Sequence, residues 1–340
     1  MRVARYIGDP GIAIAEAEPV PPGRGDVQIA VAFTGICGTD LHIRHGAMDS
    51  RVRVPSVPGH EMSGRIAAVG AGVSGWRVGD PVTVMPLRWC GSCAACRTGH
   101  QHICLRLDFL GIDSPGAMQQ RWTVPADLLV RVPDAVPLRD AALVEPTAVA
   151  VHDVARAEVA AGEPVVVVGG GPVGVLIACV ARSAGAEVVL VEPNPHRRLV
   201  AQELGLAALD PDETDVETWV LDHTGGAGAP VAFEVSGTRP GLATALSVLG
   251  ARGRMVVVGI HPTPPMIDMQ RVFLRELTLL GARVYARPDF ERAVQLVADG
   301  TVPAGRLVSR VEPLGSAGEA FAALESGDGV MKVLVDCRDD

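Results

Sequence analysis

Six residues of this chain, Cys37-Gly38-Thr39-Asp40-Leu41-His42, carry a thiol, a hydroxyl, a carboxylate and an imidazole, and Gly59-His60-Glu61 adds a second imidazole and a second carboxylate. These are the groups that bind metals and move protons. A tighter set follows in Cys90-x2-Cys93-x2-Cys96-x7-Cys104. Four thiolates at such spacing wrap one tetrahedral zinc and leave no open coordination position, so the site they predict is structural. His100 and His102 lie in the same loop, but four cysteines already fill the sphere, and both histidines read as surface residues. Cys37 and His60 are far apart in sequence. Taken alone they read as a buried cysteine and a hydrogen-bonded histidine. Thr39, His42 and Glu61 beside them, with the cysteine cluster downstream, favour a second metal.

A third motif, Gly169-x-Gly171-x-x-Gly174, stands between a β-branched run and an apolar helical stretch. That context identifies a turn in which glycines let a pyrophosphate approach a helix N-terminus. Pro172 and Val173 open the helix. Glu192 ends the next strand, where a carboxylate hydrogen-bonds ribose hydroxyls and repels a 2′-phosphate. This favours NAD(H). Arg197 and Arg198 keep NADP(H) as the alternative, since arginine could accept that phosphate.

The elements that must position these groups fall into two textures. Residues 1–150 read mostly as strands broken by Gly, Pro and Asp, with Val27–Phe33 alternating as a half-buried strand should. A short helix is expected over 40–45, with Thr39 near its N-terminus. From Glu163 the pattern becomes strand–helix alternation. Strands are expected over 165–168, 187–191, 231–235, 254–258 and 277–280, one more near Ala208, and helices after Gly171 and over 197–204, 215–222 and 241–249. This predicts a doubly wound parallel sheet over 151–285. A helix over 290–298 and a closing strand over 331–336 are expected to return to the first domain. The expected division is 1–150 completed by 286–340, with a metal lobe near 88–106, and 151–285.

Bulk properties narrow the function. A chain of 340 residues suggests about two domains. Its net charge is −9 and it shows no basic stripe, which argues against nucleic-acid partners. No apolar run is long enough to span a bilayer and no signal-peptide core opens the chain, so a cytoplasmic protein with no membrane partner is expected. The seven cysteines in a reducing compartment point to metal and not to disulfides. Lys332 is the only lysine, which leaves lysine few catalytic roles. Neither Tyr6 nor Tyr285 has a lysine four residues on, so a tyrosine–lysine proton-transfer pair is excluded.

Through Gly59-His60-Glu61-x2-Gly64-x5-Gly70, the four-cysteine lobe and the glycine-rich turn, the chain resembles the zinc-dependent medium-chain alcohol dehydrogenases over essentially its whole length. The resemblance implies a GroES-like β-rich catalytic domain beside a Rossmann domain, two zinc ions per chain, a nicotinamide cofactor, a small-molecule alcohol or ketone substrate, and a homo-tetramer or homo-dimer. It implies that Cys37 and His60 bind the catalytic zinc. Many members use a second cysteine as third ligand, yet none lies between Cys104 and Cys179. Glu145 stands there instead, as in the polyol (sorbitol), threonine and butanediol dehydrogenase branch, and Glu61 can also ligate. Asp40 would orient His60. Val258, Gly259 and Ile260 would line the nicotinamide pocket, and Trp89, Phe109, Ile112, Arg283 and Tyr285 the substrate pocket. Thr39 would take the alcohol proton and pass it through His42. The activity so implied is oxidation of a secondary alcohol (a vicinal diol, polyol, cyclitol or threonine-like compound) to the ketone, or the reverse. The alternatives are an NADP(H)-linked ketone or aldehyde reductase and a non-catalytic nucleotide-binding protein.

Overall fold

The computed structural model describes residues 1–327 and 329–338. It comprises two compact units: Met1–Glu145 with Ala286–Gly300 and Ala304–Asp340, and Pro146–Tyr285 with Thr301–Pro303.

The first unit is built on a seven-stranded sheet. Its centre is Asp26–Gly35, which alternates at its start and is fully buried from Val31 on. It pairs antiparallel with Glu61–Val69, with Arg121–Pro125 and with Lys332–Asp336. Two register shifts against Glu61–Val69, near Gln28 and near Val31, end with Gly35 opposite Glu61. Leu334 lies opposite Gly35 on the other side. Bulges of this kind re-aim side chains at the end of a strand. Inward-facing Ile29, Met62, Ile66, Val84, Trp122, Phe321 and Val333 form the core beneath. Glycine is needed at position 35, because a Cβ there would strike the Glu61 carboxylate and the Lys332 side chain.

The second unit is a six-stranded parallel sheet in the order Ala207–Leu209, Glu187–Val191, Pro164–Val168, Ala229–Glu234, Leu249–Val257, Thr278–Gly281. Val165 to Val168 are all buried, as a strand covered on both faces requires. Chain order reverses between Pro164–Val168 and Ala229–Glu234, which creates the crevice where open α/β sheets take ligands. The α/β class anticipated from the sequence, a GroES-like domain with a Rossmann domain, is the class found.

Several elements differ from expectation. The short helix is Gly38–Arg44, two residues earlier, because Cys37 serves as its N-cap. The strand expected over 254–258 begins at Leu249, since its first residues pair with the start of the preceding strand across a bulge. Helices Met269–Leu274 and Ala317–Ser326 and strand Val308–Pro313 were not anticipated. Among the described residues no helix is long and apolar enough to cross a membrane.

Candidate active site and metal centres

Cys37 ends the turn after the central strand. Its main-chain N–H donates to Asp40 Oδ2 at 2.8 Å, which caps the helix Gly38–Arg44. The cap fixes where Thr39 and His42 leave the backbone, and both are half-buried. His60 and Glu61 stand where the second strand begins, and they are 3% and 1% exposed. Cys37, His60 and Glu61 each offer a ligand atom, and the three lie within 4.8 Å of one another. Phe109 packs edge-on against His60 with ring centroids 5.2 Å apart. Glu145, in the first turn of Val144–Arg156, is also buried. It is not in that tight trio, but its charge acts on His60.

The electrostatics of this cluster call for a cation. Burial pushes the His60 imidazole down, yet Asp40, the hydrogen bond to Cys37 and the charges of Cys37 and Glu145 outweigh it and raise it to about 10. Burial raises the Asp40 carboxyl, against the pull of His60. Asp40 Oδ1 lies 3.8 Å from His60 Nδ1, beyond hydrogen-bond range, and neither atom has another hydrogen-bond partner. One thiol, one imidazole and buried carboxylates form a donor set that suits zinc.

Lys332 sits inside this cluster, although it had been set aside on sequence grounds. It is 2% exposed, donates from Nζ to the Ile36 carbonyl at 2.9 Å, and forms an ion pair with Glu61 Oε2. Burial disfavours the ammonium, but Glu61 and Cys37 raise its pKa above the usual lysine value. One lysine in a Val-rich strand gives no local signal of such a place.

The four lobe cysteines also form a tight group. Neighbouring sulfurs are 3.5 Å apart for Cys93–Cys96 and Cys90–Cys104 and 3.8 Å for Cys93–Cys104. A disulfide would need about 2.05 Å, whereas tetrahedral zinc with bonds of about 2.3 Å places its sulfurs roughly 3.8 Å apart. The Ser92 N–H and the Arg106 guanidinium pull Cys90 down to about 5, whereas burial pushes Cys96 up to about 12.

In the second unit, Gly169 has φ +110° and Gly171 caps the helix Pro172–Ser183, with Pro172 in its first turn. Val173 follows in that turn. A Cβ at Gly174 would strike the Gly169 carbonyl, so glycine is required where the helix meets the strand. Glu192 is 5% exposed and accepts from the Gly170 N–H at 2.6 Å and the Asn194 N–H at 2.8 Å. Arg198 is occupied by the Glu192 and Pro193 carbonyls and by Asp210. Arg197 stands 4.0 Å from Glu192, and the Arg197 Nε–H donates no hydrogen bond. Val258, Gly259 and Ile260 follow the fifth strand, and Ile260 is 64% exposed. Sequence reasoning passed over Glu234 and His261, which meet at the same strand ends. A carboxylate closing a buried strand was the available signal.

Residues 23–134 match the family Alcohol dehydrogenase GroES-like domain and residues 172–299 the family Zinc-binding dehydrogenase. The chain is 48% identical to a 2-dehydro-3-deoxy-L-galactonate 5-dehydrogenase of Pseudoalteromonas atlantica, over 99% of each chain. It is 33% identical to a sorbitol dehydrogenase of Halalkalibacterium halodurans over 95% of each. The crystal structure of 2R,3R-butanediol dehydrogenase from Bacillus subtilis superposes with a TM-score of 0.90 at 31% identity, covering 98% of this chain and 99% of that one. With these likenesses, the chain belongs to the zinc-dependent medium-chain alcohol dehydrogenases, in their polyol and threonine dehydrogenase branch.

Proposed function

We propose that this enzyme oxidises a secondary alcohol flanked by a second oxygen function, in a sugar acid or polyol, with NAD as partner. The observation that carries the reading is the composition of the buried cluster: Cys37 and His60 are joined by carboxylate and not by a second thiolate. A carboxylate is a harder ligand than a thiolate, and it offers a neighbouring substrate hydroxyl a hydrogen-bond acceptor. The 48% identical relative acts, by its name, on a sugar acid. Cys37 and His60, with Glu61 or Glu145, would hold the catalytic zinc, and Cys90, Cys93, Cys96 and Cys104 a structural one.

When bound, zinc would supply Lewis acidity toward the substrate hydroxyl, and nicotinamide would accept the hydride. The chain's own residues do the rest. Thr39 Oγ1 accepts the hydroxyl proton as it gives up its own, and His42 carries the released proton toward solvent. Lys332 holds Glu61 in place by charge. Asp40 keeps the turn that presents Cys37. Gly169, Gly171 and Gly174 admit the pyrophosphate, and Val173, Val258, Gly259 and Ile260 flank the nicotinamide.

Glu192 supports NAD, because a 2′-phosphate would meet its charge. Arg197 favours the second reading, NADP. The chain assembles as a homo-dimer or homo-tetramer in this proposal. Thr278–Gly281 is the edge of its sheet, and Met266, Met269, Phe273 and Leu274 near it are 91%, 64%, 79% and 68% exposed. An apolar edge strand of this kind suits pairing with its own copy across a two-fold axis. Sedimentation would test this, and a monomer at micromolar concentration would refute it.

The deciding experiment measures reduction of NAD and of NADP with aldonic and deoxy sugar acids, polyols, vicinal diols, threonine and primary alcohols, alongside elemental analysis. Two zincs per chain and turnover confined to secondary alcohols are expected. Preference for a primary alcohol would sink the substrate reading.

A further inference from the structure

Glu234 closes the strand Ala229–Glu234 and is fully shielded from solvent. Both of its carboxylate oxygens face groups able to donate. Oε1 accepts from the Ser236 hydroxyl at 2.5 Å and from the Gly237 N–H at 2.9 Å. Oε2 lies 2.9 Å from His261 Nε2. The Glu234 carbonyl accepts from the Val258 and Gly259 N–H groups, both at 2.9 Å. This one residue therefore laces together two loops, 235–238 and 258–261, at the C-terminal ends of neighbouring parallel strands. The loops are in close contact. A Cβ at Gly237 would come within 2.6 Å of the Ile260 carbonyl, and one at Gly259 within 2.8 Å of Glu234 Oε2. The lacing lies at the end of the sheet where open α/β folds bind their ligands.

The His261 side chain is 11% exposed, neither sealed in the core nor free in solvent. With Nε2–H donating to Glu234, the ring in its neutral form presents Nδ1 as an acceptor on its far side. An acceptor is of no use to a pyrophosphate, which brings only acceptors of its own. It suits ribose hydroxyls and a carboxamide N–H, which are the donors of the nicotinamide half of a dinucleotide.

We propose that His261 is a contact residue for the nicotinamide half of the cofactor, its Nδ1 accepting a hydrogen bond from a ribose hydroxyl or the carboxamide, and that Glu234 is its positioning residue. The inference rests on the reading that the second unit binds a dinucleotide. It adds a recognition element outside the glycine-rich turn.

The test compares two probes on the zinc-loaded enzyme: NADH, by its fluorescence on binding, and ADP-ribose, which lacks nicotinamide, by calorimetry. His261→Ala is expected to weaken NADH about tenfold, the loss of one well-formed hydrogen bond, and to leave ADP-ribose within about twofold. His261→Gln, whose amide can donate to Glu234 and still present an oxygen, is expected to recover most of the loss. Glu234→Gln offers the ring a donor in place of an acceptor, reverses the tautomer, and should also weaken NADH selectively. Equal weakening of both probes by His261→Ala would make the pair a structural tie and overturn the proposal. Unchanged NADH affinity would overturn it as well. Wild-type enzyme that bound neither probe would remove the dinucleotide reading itself, and this inference with it.

Discussion

The cysteine lobe and the Cys37–His60–Glu61 cluster belong to the same unit and are both sets of metal-binding side chains, yet they are assembled in opposite ways. The lobe is local. Its four sulfurs come from one loop, and main-chain N–H groups of Cys90 and Arg106 point at Cys104 Sγ at 3.4 and 3.3 Å. Its charge partner, Arg106, approaches from the same loop, with a guanidinium nitrogen 3.4 Å from Cys90 Sγ. The cluster is non-local. Its members arrive on the end of one strand, the start of a second, the first turn of a helix and a strand from near the C-terminus, and all but Cys37 are buried. The lobe needs only its own loop to be complete. The cluster needs the sheet in correct register, because a shift of one residue would turn Glu61 away from Lys332.

This contrast can be broken or sharpened by experiment. The largest effect is expected from Cys37→Ser. Losing several kcal/mol of metal assistance should lower kcat on the order of a thousandfold, and elemental analysis should find one zinc gone and the lobe zinc retained. Loss of both metals would show that the two sites are coupled. Cys104→Ser should do the reverse. The lobe metal is lost and the thermal midpoint falls, because a structural metal contributes folding energy directly, while kcat of the remaining folded enzyme stays within about tenfold. Lys332→Met leaves Glu61 buried without its counter-charge and should cost about 3–5 kcal/mol in urea unfolding, with Lys332→Arg milder. A cost below about 1 kcal/mol would mean that water or another group already compensates Glu61. Brief treatment with a chelator should empty the cluster before the lobe, since a site with an open position exchanges more readily than a closed one. Arg106→Ala, at an exposed pair, should leave the thermal midpoint almost unchanged, the smallest effect of the set.

Legibility from the sequence follows the same division. The lobe and the glycine-rich turn were readable because each is a short-range pattern with one physical solution. Glu187–Val191 was placed to the residue, and Val165 to Val168 missed only the leading Pro164, because β-branched runs bounded by glycine or charge leave little choice. The burial of Lys332 was not legible, for the opposite reason. In Met331-Lys332-Val333-Leu334 it looks like a solvated charge on a strand, and only the pairing of Leu334 with Gly35 carries it inward to Glu61. Asp40 shows a subtler case. Sequence reasoning assigned it to His60, whereas the structure gives its one good hydrogen bond to the Cys37 N–H, a helix-capping role that shapes the turn. Helix Ala317–Ser326 went unread although Ser316-x-x-Glu319 has capping-box spacing and Gly327 closes it; Ser316 makes no capping hydrogen bond, and the apolar stretch between is short.

The position of Lys332 has a consequence for how the protein is made. Domains generally fold as they emerge, N-terminal first. This chain cannot finish its first unit in that order. Residues Met1–Glu145 emerge with one side of the central strand Asp26–Gly35 still lacking its Lys332–Asp336 neighbour and with Glu61 without its ammonium partner. The whole dinucleotide sheet is translated before either is supplied. The nascent first unit is therefore an unsealed intermediate for most of its synthesis, and the strand that closes its sheet also brings the charge that lets the Glu61 carboxylate be buried. Ribosome-bound chains stalled just before Lys332 should remain protease-sensitive around Gly35 and Glu61, while the completed second unit already resists cleavage.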